Sequence, residues 1–203
     1  VIFVPKEIEF FFDFSSPYGY LAAELINNLG NLHGREVIWK PYLMGALFKK
    51  YNLTPLVNDP LKGDYAMRDI QRTADYHSIP FQFPDPCPVS SVKACRVYYS
   101  IVDQSPDLAR SFALRVMRNY FQSNIDLSKA TNVFEAAKDE GLDVKTLASS
   151  IEHDCIKERL RHEVDAAINR GVFGSPIFII DNEMFWGTDR LEQLNKWVET
   201  GPW

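Results

Sequence analysis

FFFDFSSPYGYL, residues Phe10 to Leu21, is the stretch on which the fold turns. From Glu7 to Phe14 the chain reads as a strand. Ile8, Phe10, Phe11, Phe12 and Phe14 make a nearly continuous apolar run, as in a central strand covered on both faces. Pro17 fits the first turn of a helix, where its missing N–H is no loss. Tyr20, Leu21, Leu25 and Leu29 continue at helical spacing, and Gly30 stands where a helix would close. A second strand runs from Glu36 to Tyr42 around Val37, Ile38 and Trp39. Strand, helix and strand in so short a span make a βαβ unit, whose two strands should lie parallel.

The middle of the chain changes character. Leu43 to Asn58 mixes a short helical piece with a loop, and Asp64 to His77 reads as a helix. Pro80, Pro84, Pro86 and Pro88 punctuate an extended connector. Helical spacing then dominates: Ser91–Asp103, Asp107–Gln122, Thr131–Glu140, Val144–Ser150 and Glu152–Arg170, with Gly171 at the place of a helix-ending glycine. Strands return with Ile177-Phe178-Ile179-Ile180, a turn at Asp181-Asn182-Glu183, and Met184-Phe185-Trp186 as the second arm of a hairpin. Leu191, Leu194 and Val198 mark a last helix. The class is α/β, ordered βαβ, a large all-helical insertion, then ββα.

Composition limits what such a chain does. Its 203 residues are 46% hydrophobic and 24% charged, with a net charge of −5. These are the proportions of a folded soluble domain, without the clustered positive charge of a nucleic-acid binder. No apolar run approaches the length of a membrane span. Val1 to Lys6 lacks the charged start and long apolar stretch of an export signal. Cys87, Cys95 and Cys155 fit neither CxxC nor a zinc pattern and read as free thiols in a reducing compartment, so no metal is expected.

The order of elements is the thioredoxin-like plan with helices inserted between its halves. Ser16-Pro17-Tyr18-Gly19 opens a helix where redox members of that fold carry Cys-x-x-Cys. Gly174-Ser175-Pro176 precedes a late strand where the fold keeps a cis proline. Together with NLTP (Asn52 to Pro55), GVFGSPIF and MFWGTDRLEQL, these motifs resemble the 2-hydroxychromene-2-carboxylate isomerases, relatives of the kappa-class glutathione transferases. The resemblance spans nearly the whole chain. It implies a thioredoxin-like domain made of 1–42 and 172–203. Residues 43–171 would form a mainly helical inserted domain, whose last helix packs back on that core. It further implies a cytoplasmic homodimer that uses glutathione to isomerise an aromatic carboxylate of naphthalene breakdown. The family's catalytic serine matches Ser16. Its glutathione site matches Pro17, Tyr18, Asn52, Ser175, Pro176, Trp186, Gly187, Thr188 and Asp189. The stretch FPDPCPVSSVKACRVYY departs from the family by lacking a tyrosine and paired arginines associated there with substrate.

The chemistry suits those residues. A free thiol is only a few per cent thiolate near neutral pH. Lowering its pKa by about two units takes roughly 2.7 kcal/mol of differential stabilisation. A helix N-terminus supplies unpaired N–H groups and partial positive charge, and a hydroxyl adds a charge-assisted hydrogen bond of about 1.5–3 kcal/mol. A serine at position 16 would hold a thiolate without forming a disulfide with it. The thiolate would then be free to add to a conjugated keto acid, permit rotation and leave.

Plainer roles stand beside these. Ser16 is also a helix N-cap by type, Asp189 and Glu192 have capping-box spacing, and Asn52 is a common turn residue. Arg68, Arg72 and Arg96 on the inserted helices would meet a substrate carboxylate or form a solvated face. Two rival functions remain: a kappa-like transferase or peroxidase sharing the thiolate site, and a redox-inactive thioredoxin-like binding module.

Overall fold

A computed structural model describes residues 7–203. Residues 1–6, read above as carrying no export signal, lie outside the described residues. Strand β1 (Ile8–Phe12) leads into helix α1 (Pro17–Leu32) and strand β2 (Val37–Pro41). Helices α2 (Met44–Tyr51), α3 (Gly63–Tyr76), α4 (Val92–Ile101), α5 (Pro106–Ser123), α6 (Ala130–Asp139), α7 (Val144–Ser150) and α8 (Asp154–Asn169) follow. The chain returns through strands β3 (Ile177–Ile180) and β4 (Glu183–Trp186) to helix α9 (Leu191–Thr200). The sheet runs β2-β1-β3-β4, with β1 parallel to β2 and antiparallel to β3, and β3 antiparallel to β4. This is the expected thioredoxin-like plan with a helical insertion.

The apolar run of β1 is buried throughout from Phe10 to Phe12, as a central strand requires. Its residues alternate between two faces. Phe10 and Phe12 stack at 4.9 Å and meet Trp39 edge-on, and Phe10 also stacks on Phe178 of β3 at 5.5 Å. Phe11 looks the other way, beneath the cations of Lys40 and Arg170. The helical block is tied to the sheet at β2, an edge strand. Tyr98 and Tyr99 of α4 donate their hydroxyls to the Trp39 and Pro41 carbonyls at 2.9 and 2.6 Å. These bonds satisfy edge acceptors and set α4 beside the strand ends. Among the described residues no helix is long and apolar enough to cross a membrane.

Two expectations need correction. The first strand ends at Phe12 rather than Phe14, because the Asp13 side chain folds back to bond the Ser15 N–H at 2.9 Å and turns the chain. Helix α1 does not close at Gly30 but continues to Leu32. Gly30 is there for space: a Cβ would lie 2.6 Å from the Val37 methyl and 2.8 Å from the Arg35 carbonyl oxygen. Gly30→Ala therefore should lose about 1–3 kcal/mol by overpacking, against a helix-propensity gain near 1 kcal/mol. Urea unfolding of the two proteins checks this; a more stable variant would show that the β2 approach is slack.

Candidate active site

Helix α1 starts at the tip of β1 because Ser16 caps it. The Ser16 backbone is extended, and its hydroxyl oxygen accepts the Gly19 N–H at 3.0 Å. The hydroxyl proton goes to the Ser175 carbonyl, also at 3.0 Å. Pro17 occupies the first helical position and offers no donor. That leaves the Tyr18 N–H as a first-turn donor with no acceptor inside the helix. Ser16 is half-buried, so this mouth is open to solvent.

Ser175 faces the mouth from the loop before β3. Its peptide bond to Pro176 is cis. Its hydroxyl oxygen accepts the Asp13 N–H at 3.0 Å, and the Ser16 N–H in turn bonds the Asp13 carbonyl at 3.0 Å. Ser16, Ser175 and Asp13 thus close a ring of three hydrogen bonds between the two halves of the thioredoxin-like plan. Gly19 permits the closeness: a Cβ there would sit 2.6 Å from the Ser175 hydroxyl and 3.1 Å from the Ser16 Cβ.

A third segment completes the cluster. The Gly187 N–H bonds the Pro176 carbonyl at 3.0 Å, and the Thr188 hydroxyl donates to the Tyr18 carbonyl at 2.9 Å. Gly187 has a φ of 107°, and a Cβ there would lie 2.4 Å from an Asp189 carboxylate oxygen. The φ demands glycine, whereas the exposed Asp189 side chain could swing aside. The Asp189 side chain is 71% exposed and paired with Arg190 at 2.8 Å. The capping box with Glu192 does not form. Helix α9 begins at Leu191 with Arg190 at its cap and no side-chain cap bond. Trp186 stands at the edge of the cluster, its indole against Gly174 and edge-on to Phe173 at 5.0 Å.

The structure thus brings together Ser16, Pro17, Tyr18, Ser175, Pro176, Gly187 and Thr188, with Trp186 and Asp189 flanking them. Asn52 is not joined to them by any hydrogen bond among the described residues. It is exposed, has a φ of 53° and ends α2 as a left-handed C-cap, the turn role its residue type allows. Of the three arginines, Arg72 pairs with Asp69 and Arg96 with Glu152, while Arg68 is exposed.

Asp13 was overlooked by the reading from sequence. It is 4% exposed, and its carboxylate accepts four hydrogen bonds: the Ser15 N–H, the Ser15 and Ser91 hydroxyls, and the Met44 N–H. One side chain therefore ties the Ser16 loop to the starts of α2 and α4. Burial pushes its pKa up, and the four donors only partly oppose that. A signal was present, since an aspartate inside so apolar a run needs partners. Tyr42 was missed too; its hydroxyl donates to the Gly174 carbonyl at 2.8 Å and steadies the loop bearing Ser175.

The described cysteines are all free thiols: Cys87 half-buried, Cys95 buried, Cys155 exposed. Cys87 lies beside the Ser15 carbonyl, and burial pushes its thiol up. The residue opposite Ser175 is a serine, and position 19 is a glycine, so the loop carries no dithiol pair.

Known proteins resemble this chain along most of its length. The chain is 28% identical over 195 residues to the 2-hydroxychromene-2-carboxylate isomerase of Sphingobium xenophagum, covering 95% of this chain and 98% of that protein. It is 24% identical over 215 residues to glutathione S-transferase kappa 1 of Rattus norvegicus, covering 98% and 95%. A solved 2-hydroxychromene-2-carboxylate isomerase superposes with a TM-score of 0.83 at 26% identity, over 93% of this chain and 92% of that one. The model of the DSBA-like thioredoxin domain matches residues 7–199, and the chain belongs to that family.

Proposed function

We propose that this protein is a glutathione-dependent isomerase of the 2-hydroxychromene-2-carboxylate kind, working as a cytoplasmic homodimer on an aromatic carboxylate. On this reading it divides into a thioredoxin-like part, 1–42 with 172–203, and a helical part, 43–171. One observation carries the proposal: a half-buried serine hydroxyl at the mouth of α1, held between the Gly19 N–H and the Ser175 carbonyl. The relatives named as isomerases and kappa transferases support it.

The residues present fit a tripeptide thiol. Gly19 lets Ser16 and Ser175 meet at the helix mouth, the Ser175 carbonyl is a peptide acceptor there, and Asp189 offers a carboxylate to an ammonium. Glutathione, when bound, supplies a thiolate that adds reversibly to a conjugated double bond and allows it to rotate. The chain's part is to stabilise that anion. A turn about the Ser16 Cβ–Oγ bond re-aims the hydroxyl proton away from the Ser175 carbonyl while the Gly19 bond stays in place. The Tyr18 N–H and the positive end of α1 add to the same field. Pro17, Tyr18, Ser175, Pro176, Trp186, Gly187, Thr188 and Asp189 would shape the glutathione site. Asn52 would join them only through a movement of the α2 end.

A kappa-like transferase or peroxidase is the second reading, favoured by the kappa relatives. Incubation with 2-hydroxychromene-2-carboxylate and glutathione separates the two. The expected result is a spectral change in the substrate with no fall in free thiol. Stoichiometric thiol loss would point to a transferase or peroxidase, and no spectral change would remove the isomerase.

A further inference from the structure

The helical insertion reaches the mouth of α1 through one tyrosine. The Tyr18 hydroxyl donates to Asp69 of α3 at 2.7 Å. The other Asp69 oxygen pairs with Arg72, one turn further along α3, and Arg72 lies over the Tyr65 ring at 5.8 Å. Asp69 and Arg72 remain reachable, with side chains 27% and 52% exposed. On the other side of Tyr18, its carbonyl accepts the Thr188 hydroxyl, next to Asp189. Burial, the Asp69 bond and the charges of Asp69, Tyr65 and Asp189 all push the Tyr18 phenol up. Against some burial, the Tyr18 and Arg72 bonds keep Asp69 below the usual carboxylate range, so it is ionised at neutral pH.

We propose that Asp69 and Arg72 form the wall of the site that recognises the zwitterionic end of glutathione, Asp69 with Asp189 taking the α-ammonium and Arg72 the α-carboxylate. This rests on the glutathione reading above. The γ-glutamyl head carries a cation and an anion on one carbon. The pair on α3 presents an anion and a cation side by side, in the complementary order. Arg72 is held at one edge by Asp69 and on one face by Tyr65, so its remaining N–H groups are already oriented. Arg68, one turn earlier, is exposed and has no such support among the described residues. Arg72, one of the three arginines offered above to a substrate carboxylate or a solvated face, is thus assigned to the thiol cofactor instead.

Calorimetric titration with three ligands tests this. They are glutathione, glutaryl-cysteinyl-glycine, which lacks the α-ammonium, and 4-aminobutyryl-cysteinyl-glycine, which lacks the α-carboxylate. The unaltered protein should prefer glutathione to each analogue by about tenfold or more. Arg72→Gln should erase the preference over the decarboxylated analogue and keep the other. Asp69→Asn should reduce the preference over the deaminated one, and Asp69→Asn together with Asp189→Asn should erase it. Because each readout is a ratio within one protein, a partly unfolded variant does not imitate it. Preferences that survive both substitutions, or variants that weaken all three ligands equally, overturn the assignment while leaving glutathione binding intact. No heat with glutathione in the unaltered protein overturns the thiol-site reading itself, and this wall with it.

Discussion

Ser16→Ala should raise the pKa of bound glutathione by about 1–2 units, the size of one charge-assisted hydrogen bond. Turnover should fall by about 100-fold or more, as when a preorganised donor to a developing anion is removed. The substitution takes away two things. The hydroxyl donor is lost to the thiolate, and the Gly19 N–H loses its cap acceptor at 3.0 Å. The second loss alone costs about 0.5–2 kcal/mol of stability. A control is therefore needed that keeps the cap and changes the proton. Ser16→Asp retains an acceptor for Gly19 but places a negative charge where the thiolate forms, so it should bind thiol more weakly than Ser16→Ala while capping the helix at least as well. Ultraviolet thiolate absorbance, titrated against pH with saturating glutathione, reads the shift directly. If the Ser16→Ala curve overlays that of the unaltered protein, the serine is a cap and nothing more, and catalysis must be sought elsewhere. Binding should be mostly retained, since the Ser175 carbonyl and the Asp189 carboxylate are untouched.

What could be read from the sequence follows from how local the determinants are. The run from Ile8 to Phe14, the Pro17 start and the Ile177–Ile180 run report burial and period within a few residues, and they yield the sheet and its neighbours. The Ser16–Ser175 pairing was accessible only through a resemblance in which both motifs occur together. Contacts bridging distant segments carry no local mark. Asp69 and Tyr18 are ordinary residues of two helices until α3 packs beside α1. Gly30 looked like a stop signal because a glycine that relieves a clash with a neighbouring strand has the same letter as one that ends a helix. The capping box at Asp189 failed for a related reason. Gly187 brings the backbone round so tightly that a short turn precedes α9, and Asp189 pairs with Arg190 rather than capping it.

Asp13 is where the largest loss of stability should appear. Asp13→Ala strands the buried Ser15 N–H and the half-buried Met44 N–H, the two fixed donors among the four, since the Ser15 and Ser91 hydroxyls are free to rotate. Two unpaired donors at about 1–3 kcal/mol each give a loss of roughly 2–6 kcal/mol, less the relief of no longer burying a carboxylate. Asp13→Asn keeps the volume and one acceptor oxygen, so its loss should be smaller, with one amide N–H forced against a donor. The Asn variant also isolates the charge. Burial holds the folded pKa of Asp13 above its ordinary 3.8, so the folded protein binds that proton more tightly than the unfolded chain. The group's contribution is then complete below about pH 4 and declines as pH rises through the folded value. The stability difference between the unaltered protein and Asp13→Asn should accordingly shrink from acid toward neutral pH. Urea unfolding of both proteins across that range measures the difference, and subtraction cancels the carboxylates they share, such as Glu9 with Arg170. A difference that is flat with pH would mean the four donors fully offset burial. A difference that grows with pH would mean they prevail, with Asp13 serving as a stabilised anion beneath the Ser16 loop rather than a costly one.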